Sequence, residues 1–216
     1  MYTSLGMIEA INLTTLIIVF VSLVISITLH EAMHAFTGHW LGDDTAHREG
    51  RISLNPIRHV DPFSTILLPI ITLLLFQVPL LAAKPVPFNP NRVRFEEFGA
   101  ALVGLAGPLT NLLLAISTAG IINLFQGSLG PDLLRILVIF LAVNIGLFVF
   151  NMLPIPPLDG SRLVYALAPE SVQNLMASLE RTGIVIVFGL VLLFPGFISF
   201  ISGINEAIYK FLLIYI

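Results

Sequence analysis

Ile11-Asn12-Leu13-Thr14-Thr15-Leu16-Ile17-Ile18-Val19-Phe20-Val21-Ser22-Leu23-Val24-Ile25-Ser26-Ile27-Thr28-Leu29 runs directly into His30-Glu31-Ala32-Met33-His34. The first part has no Asp, Glu, Lys or Arg, and its length approaches the ~20 residues a helix needs to cross the hydrocarbon core of a bilayer. The second part places three ionisable side chains on one helical turn beside that apolar run, which is expensive unless they are paired or put to use. Positions i and i+4 share a helix face, so His30 and His34 point the same way and can hold one metal ion. Glu31 lies one residue on, within reach of a water molecule at that ion, as a general base. Zinc lowers the pKa of such a water to about 7.

The rest of the chain agrees with a membrane setting. Of its 216 residues, 56% are hydrophobic and 11% are charged, against about 25% charged in a soluble domain. Apolar stretches recur at Ile11–Leu29, Phe98–Phe125, Leu133–Val149 and Gly183–Ile204, and a fifth, Phe63–Ala83, is interrupted by Pro69 and Pro79. No polar segment is long enough for a second folded unit, so residues 1–216 read as one membrane-embedded domain. The absence of cysteine excludes disulfides, thiolate catalysis and Cys-type metal sites. A net charge of −3 without a basic run gives a nucleic-acid partner no support. The first stretch lacks the basic n-region of a cleavable signal peptide.

Basic residues set the orientation. Arg48, Arg51 and Arg58 follow the first stretch, Lys84, Arg92 and Arg94 precede the next full one, and Arg162 and Arg181 follow the third. Neither the N-terminus before Ile11 nor the turn at Gln126–Pro131 has Lys or Arg. Lys/Arg-rich short loops mark the cytoplasmic side, so the N-terminus is expected outside. Both flanks of Phe63–Ala83 are then cytoplasmic, which predicts re-entry over a plain crossing. The run Lys84-Pro85-Val86-Pro87-Phe88-Asn89-Pro90 fits an extended return, since each proline removes a donor and pushes its predecessor out of helix. The expected fold is an all-α polytopic membrane protein with about four transmembrane helices, plus one re-entrant segment with an extended, strand-like return.

A catalytic zinc takes three protein ligands and keeps one position open. His39, Glu49 and Asp159 are the candidates for the third. His39 is out of register for the metzincin spacing, which would use the position of Trp40, and Glu49 sits in what reads as a solvated loop. Asp159 closes Asn151-Met152-Leu153-Pro154-Ile155-Pro156-Pro157-Leu158-Asp159-Gly160 at the end of another apolar stretch, where prolines can turn a carboxylate back. An Asp-Gly after prolines is also an ordinary turn, so the residues alone leave the choice open.

HExxH at the end of one span, with Asn-x-x-Pro-x-Pro-x-Leu-Asp-Gly ending a later one, resembles the site-2 protease family of intramembrane metalloproteases. The resemblance covers about Ile11–Leu167, and Gly107-Pro108-Leu109-Thr110-Asn111 is similar to that family's Gly-Pro-x-x-Asn. The Ala83–Pro90 stretch looks like that of the family's short bacterial members, and the chain leaves no room for a PDZ domain or a CBS pair. The resemblance implies zinc held by His30, His34 and Asp159, water activated by Glu31, and an active site toward the cytosol of a prokaryotic plasma membrane. The expected activity is endopeptidase cleavage of membrane-spanning or signal-peptide-like proteins. Asn151, matching the motif asparagine, is expected to donate to the oxyanion. Asn111 is expected to hold substrate backbone, and Asn144 to join helices. A spanning substrate must unwind before it is cut, and strand addition along Val86 and Phe88 would re-pair its backbone. His39, His47 and His59 read as surface or interface residues. The competing class is a non-catalytic metal-binding scaffold or transporter, which the presence of Glu31 and the shortage of other ionisable groups in the spans disfavour.

Overall fold

Asn12 starts the first helix, its side-chain oxygen accepting the Thr15 N–H at 2.9 Å and so satisfying one of the donors that a helix start leaves free. From there α1 runs Leu13–Trp40, so the apolar stretch and the His30–His34 turn form one unbroken helix about 42 Å long. The computed structural model describes residues 12–59, 86–125, 127–180 and 182–213, and the expected re-entrant segment Phe63–Ala83 lies outside them. A short α2 follows at Thr45–Arg48, and single 3-10 turns occur at Pro56–Arg58 and Pro90–Arg92. Then come α3 (Glu96–Phe125), α4 (Pro131–Asn151), α5 (Gly160–Leu167), α6 (Glu170–Leu179), α7 (Gly183–Leu193) and α8 (Pro195–Leu212). Among the described residues all regular structure is helical; residues 86–89 carry none.

α1, α3 and α4 are each long and apolar enough to cross a membrane. α3 runs antiparallel to the other two. The Arg94 N–H donates to the Leu41 carbonyl at 2.9 Å, joining the start of α3 to the end of α1. At the opposite end, the Arg135 guanidinium of α4 donates to the Asn12 side chain near the start of α1. Ala115, Ala119 and Ile122 of α3 pack against Leu141, Ile145 and Val149 of α4, and the small alanines let the two backbones come close. Leu13, Ile17, Phe20, Leu113 and Leu124 point outward and are exposed, as lipid-facing residues are in a polytopic membrane protein.

The expected span Gly183–Ile204 is not one straight helix. It breaks between α7 and α8 with a bend of 92°. Pro195 has no N–H to continue the ladder and its ring disfavours helix at the preceding residue. Phe194 accordingly leaves the helical region, at φ −120° and ψ 88°. α7 alone reaches only about 16 Å, so a fourth crossing needs both helices together. α8 packs on α4 through Ile201, Ile204 and Ile208, and its last turn meets α3, where Asn123 donates to the Leu212 carbonyl at 2.8 Å.

Two glycines position the loop after α4. A side chain at Gly160 would have its Cβ 2.5 Å from the Met152 carbonyl carbon, and one at Gly104 would meet the Arg162 Cβ at 2.9 Å and the Asp159 carbonyl at 3.1 Å. Without them, residues 152–159 could neither close on themselves nor press against α3.

Candidate active site

The three helices and this loop bring together residues far apart in the chain. His30 Nε2 and His34 Nε2 lie 3.0 Å apart, and Asp159 Oδ2 lies 3.1 Å from the first and 3.4 Å from the second. Three donors each about 2.1 Å from one ion at tetrahedral angles sit about 3.4 Å from one another. A single zinc-sized ion therefore fits the triangle.

The hydrogen bonds behind the imidazoles support the same assignment. His34 Nδ1 donates to the Val103 carbonyl at 2.6 Å, and His30 Nδ1 donates to Asn111 Oδ1 at 2.6 Å. With both Nδ1 atoms protonated, both Nε2 atoms turn lone pairs toward each other, an arrangement that calls for a cation between them. Gly107 of α3 closes the floor. A Cβ there would lie 2.5 Å from His30 Nε2 and closer still to His34 Nε2.

A cleft of about 170 Å³ opens beside the triangle, lined among others by Glu31, His34, Val86, Phe88, Asp159 and Arg162. Glu31 Oε2 accepts the Val86 N–H at 3.2 Å. The structure thus brings Val86 to the general-base candidate and Phe88 to the same cleft. Their segment is tied to the end of α1 by Asp43, whose carboxylate accepts the Asn89 N–H at 2.7 Å and the Thr45 N–H at 3.1 Å.

The other candidate residues lie outside the triangle. Asn111 does not face the cleft. It is fully buried, with Oδ1 taken by His30 and Nδ2 donating to Asn144 Oδ1 at 3.0 Å, because its face of α3 points between α1 and α4. Asn151 is half-buried, its Nδ2 donating back to the Leu147 carbonyl at 3.0 Å. Glu49 is exposed at the end of α2. His39 is also exposed, pairing with Asp44 at 2.8 Å and stacking on His47; these three form a second, surface grouping apart from His30 and His34. His59 is buried, its Nε2 donating to the Ser53 carbonyl at 2.7 Å. Neither Asp43 nor Arg162 was singled out as a site residue from the sequence. Asp43 could have been found, since Asp followed two residues on by Thr is the pattern of a side-chain turn; Arg162 carries no local signal.

Comparison with known proteins decides the family. The model of peptidase family M50 matches residues 117–196, a span that includes Asn144, Asn151 and Asp159. A Bacillus subtilis protein named "Putative zinc metalloprotease YwhC" is 36% identical over 179 residues, covering 77% of this chain and 76% of that relative. The chain belongs to peptidase family M50. Two proteins carrying the same description with the name Rip2 are more distant. The one from Mycolicibacterium smegmatis is 29% identical over 79% of this chain and 65% of its own length. One from Mycobacterium tuberculosis is 31% identical over 78% and 63%. The chain thus spans just under two thirds of the Rip2 proteins. No solved structure matches it. As a member of M50, the chain is a zinc-dependent metalloprotease, and His30, His34 and Asp159 form a donor set that could hold the ion.

Proposed function

We propose that this M50 peptidase is an intramembrane endopeptidase that cuts membrane-spanning or signal-peptide-like proteins near the cytosolic face of a prokaryotic plasma membrane, residues 1–216 acting as one domain. The depth of the donor triangle carries the reading. His30 lies about 26 Å along α1 from Leu13, and the hydrocarbon core is about 30 Å thick, so the site lies just inside one face. Arg48, Arg51, Arg58, Arg92 and Arg94 flank this end of α1 in the chain, and Lys/Arg-rich loops belong to the cytosol.

His30, His34 and Asp159 hold the zinc. Bound zinc supplies Lewis-acid polarisation of the scissile carbonyl and of water. Glu31 takes a proton from that water onto its carboxylate as the new C–O bond forms, and returns it to the amide nitrogen as the C–N bond breaks. Asn151 donates to the oxyanion through the Nδ2 hydrogen that the Leu147 carbonyl does not take. The segment at Val86–Phe88 receives the unwound substrate backbone by strand addition; the Val86 N–H now held by Glu31 marks how near that backbone would pass.

The test separates binding from chemistry. Glu31→Gln should keep bound zinc while lowering cleavage of a single-span substrate in vesicles by at least ~100-fold, because the amide cannot take the proton. Turnover at the wild-type rate in the zinc-loaded variant would exclude Glu31 as the base.

A further inference from the structure

We infer that Asn111 and Asn144 form a two-amide relay that holds His30 in the tautomer a metal ligand needs, making Asn144, on a different helix from both histidines, a positioning residue for the centre. The inference rests on the zinc-site reading above and adds the device that orients one of its ligands.

The direction of the relay follows from its far end. Asn144 Nδ2 lies 2.9 Å from the Phe140 carbonyl on its own helix α4, and a carbonyl can only accept. The Asn144 amide must therefore put its nitrogen on Phe140 and its oxygen on Asn111. Asn111 answers with its nitrogen, 3.0 Å from Asn144 Oδ1, which leaves its oxygen 2.6 Å from His30 Nδ1. An amide oxygen cannot donate, so the proton of that bond sits on His30 Nδ1. Nε2 then keeps its lone pair and directs it at the triangle. Reversing either amide sets oxygen against oxygen or nitrogen against nitrogen in a place without water, because both asparagines are fully buried. His34 needs no such relay; its Nδ1 is held by the main-chain Val103 carbonyl, which cannot flip. The two ligands on one helix turn are thus oriented by different means, and only that of His30 depends on how α4 sits against α3.

The experiment measures metal affinity of the purified full chain in detergent, using Zn²⁺ in competition with a chelator and the visible spectrum of bound Co²⁺. Asn144→Leu removes the anchor and frees Asn111 to turn its nitrogen toward His30. Zinc affinity should fall about 10- to 100-fold, the usual effect of losing an outer partner of a ligand, and the Co²⁺ spectrum should change. Asn111→Asp keeps an acceptor for His30 but sets its other oxygen against Asn144 Oδ1, where the wild type has a donor at 3.0 Å, so by itself it should bind zinc more weakly than the wild type. In that background Asn144→Leu should cost nothing further, because a carboxylate has no wrong way round. A packing role for Asn144 predicts the opposite, an equal cost in both backgrounds, and that result would overturn the relay. So would an Asn144→Leu chain that binds zinc as the wild type does. If Asn144→Leu does not accumulate, Asn144→Asp and Asn144→Thr carry the test. Asp still accepts from Asn111 and so keeps its orientation, although its second oxygen then faces the Phe140 carbonyl; it should bind zinc more tightly than Asn144→Thr, which is too short to reach Asn111, and equal affinities refute the proposal. A wild-type chain that binds no zinc at all would remove the metal-site reading itself, a failure distinct from wild-type binding that is indifferent to Asn144.

Discussion

Asp159 reaches the two histidines only because Gly104 and Gly160 let its loop lie against α3 and against Met152. It lies within 3.4 Å of both Nε2 atoms, whereas Glu49 and His39 are exposed elsewhere. Asp159→Ala should therefore weaken zinc binding by more than ~100-fold, beyond the loss of an outer partner, while Glu49→Ala and His39→Ala stay fully loaded. Zinc per protein after dialysis reads the outcome, and a loaded Asp159→Ala would transfer the third position to another residue. Gly107 makes a second test at this scale. A methyl group there would enter the space between the imidazoles, at 2.5 Å from His30 Nε2, whereas one at Gly120 on the same helix meets nothing within 4 Å. Gly107→Ala should lose zinc and Gly120→Ala should keep it, although both are the same change in the same helix.

Between the end of α1 and the segment that lines the cleft, Asp43 is the tie. Asp43 is buried, and removing its carboxylate leaves the Asn89 and Thr45 donors without their charged partner, a loss of about 1.5–3 kcal/mol per bond. Asp43→Ala should free the 86–89 segment, seen as faster hydrogen exchange at Asn89 and a higher KM, with zinc content unchanged. The tie also depends on pH. Burial pushes this carboxyl up, but donation from Asn89 and Thr45, with the nearby Arg92 charge, holds it below its ordinary value of 3.8. A carboxyl depressed in the folded state stabilises fully above 3.8 and loses that stabilisation as pH falls through the lower, folded value. Protection of Asn89 should accordingly be flat from neutral pH down to about 3.8 and fall as pH drops from there through the lower, folded value, whereas Asp43→Asn should show no such step.

Across the whole molecule, both described flanks of residues 60–85 lie at the same end of α1. The Arg58 guanidinium lies 3.3 Å from where a Gly50 side chain would begin, and the Arg92 carbonyl 3.4 Å from the same point at Gly42. A chain that leaves and returns at one end of a spanning helix enters the bilayer, if it enters, from one side. Single cysteines at Arg58 and Arg92 should both react with an impermeant thiol reagent applied to the same face of sealed vesicles. The protein has no cysteine of its own to obscure the result. Labelling from opposite faces would contradict both this packing and the charge-based orientation.

The sequence by itself determined what depends on local spacing and solvent preference: apolar runs long enough to need lipid, two histidines on one helix face, and a glutamate beside them. It also pointed to Asp159 through a motif, but without a distance, since a contact across 125 residues exists only when helices and loop have packed. Tertiary structure decided that contact, and it decided what each buried asparagine does. Asn111 and Asn144 look alike in sequence, polar residues in apolar helices, and either can face a substrate or a neighbour. Their hydrogen bonds follow from which faces of α1, α3 and α4 meet, a matter of helix rotation that no single helix encodes. The break at Pro195 lay between these cases: the proline was visible, but whether the helix kinks or stops there depends on what packs against its two halves.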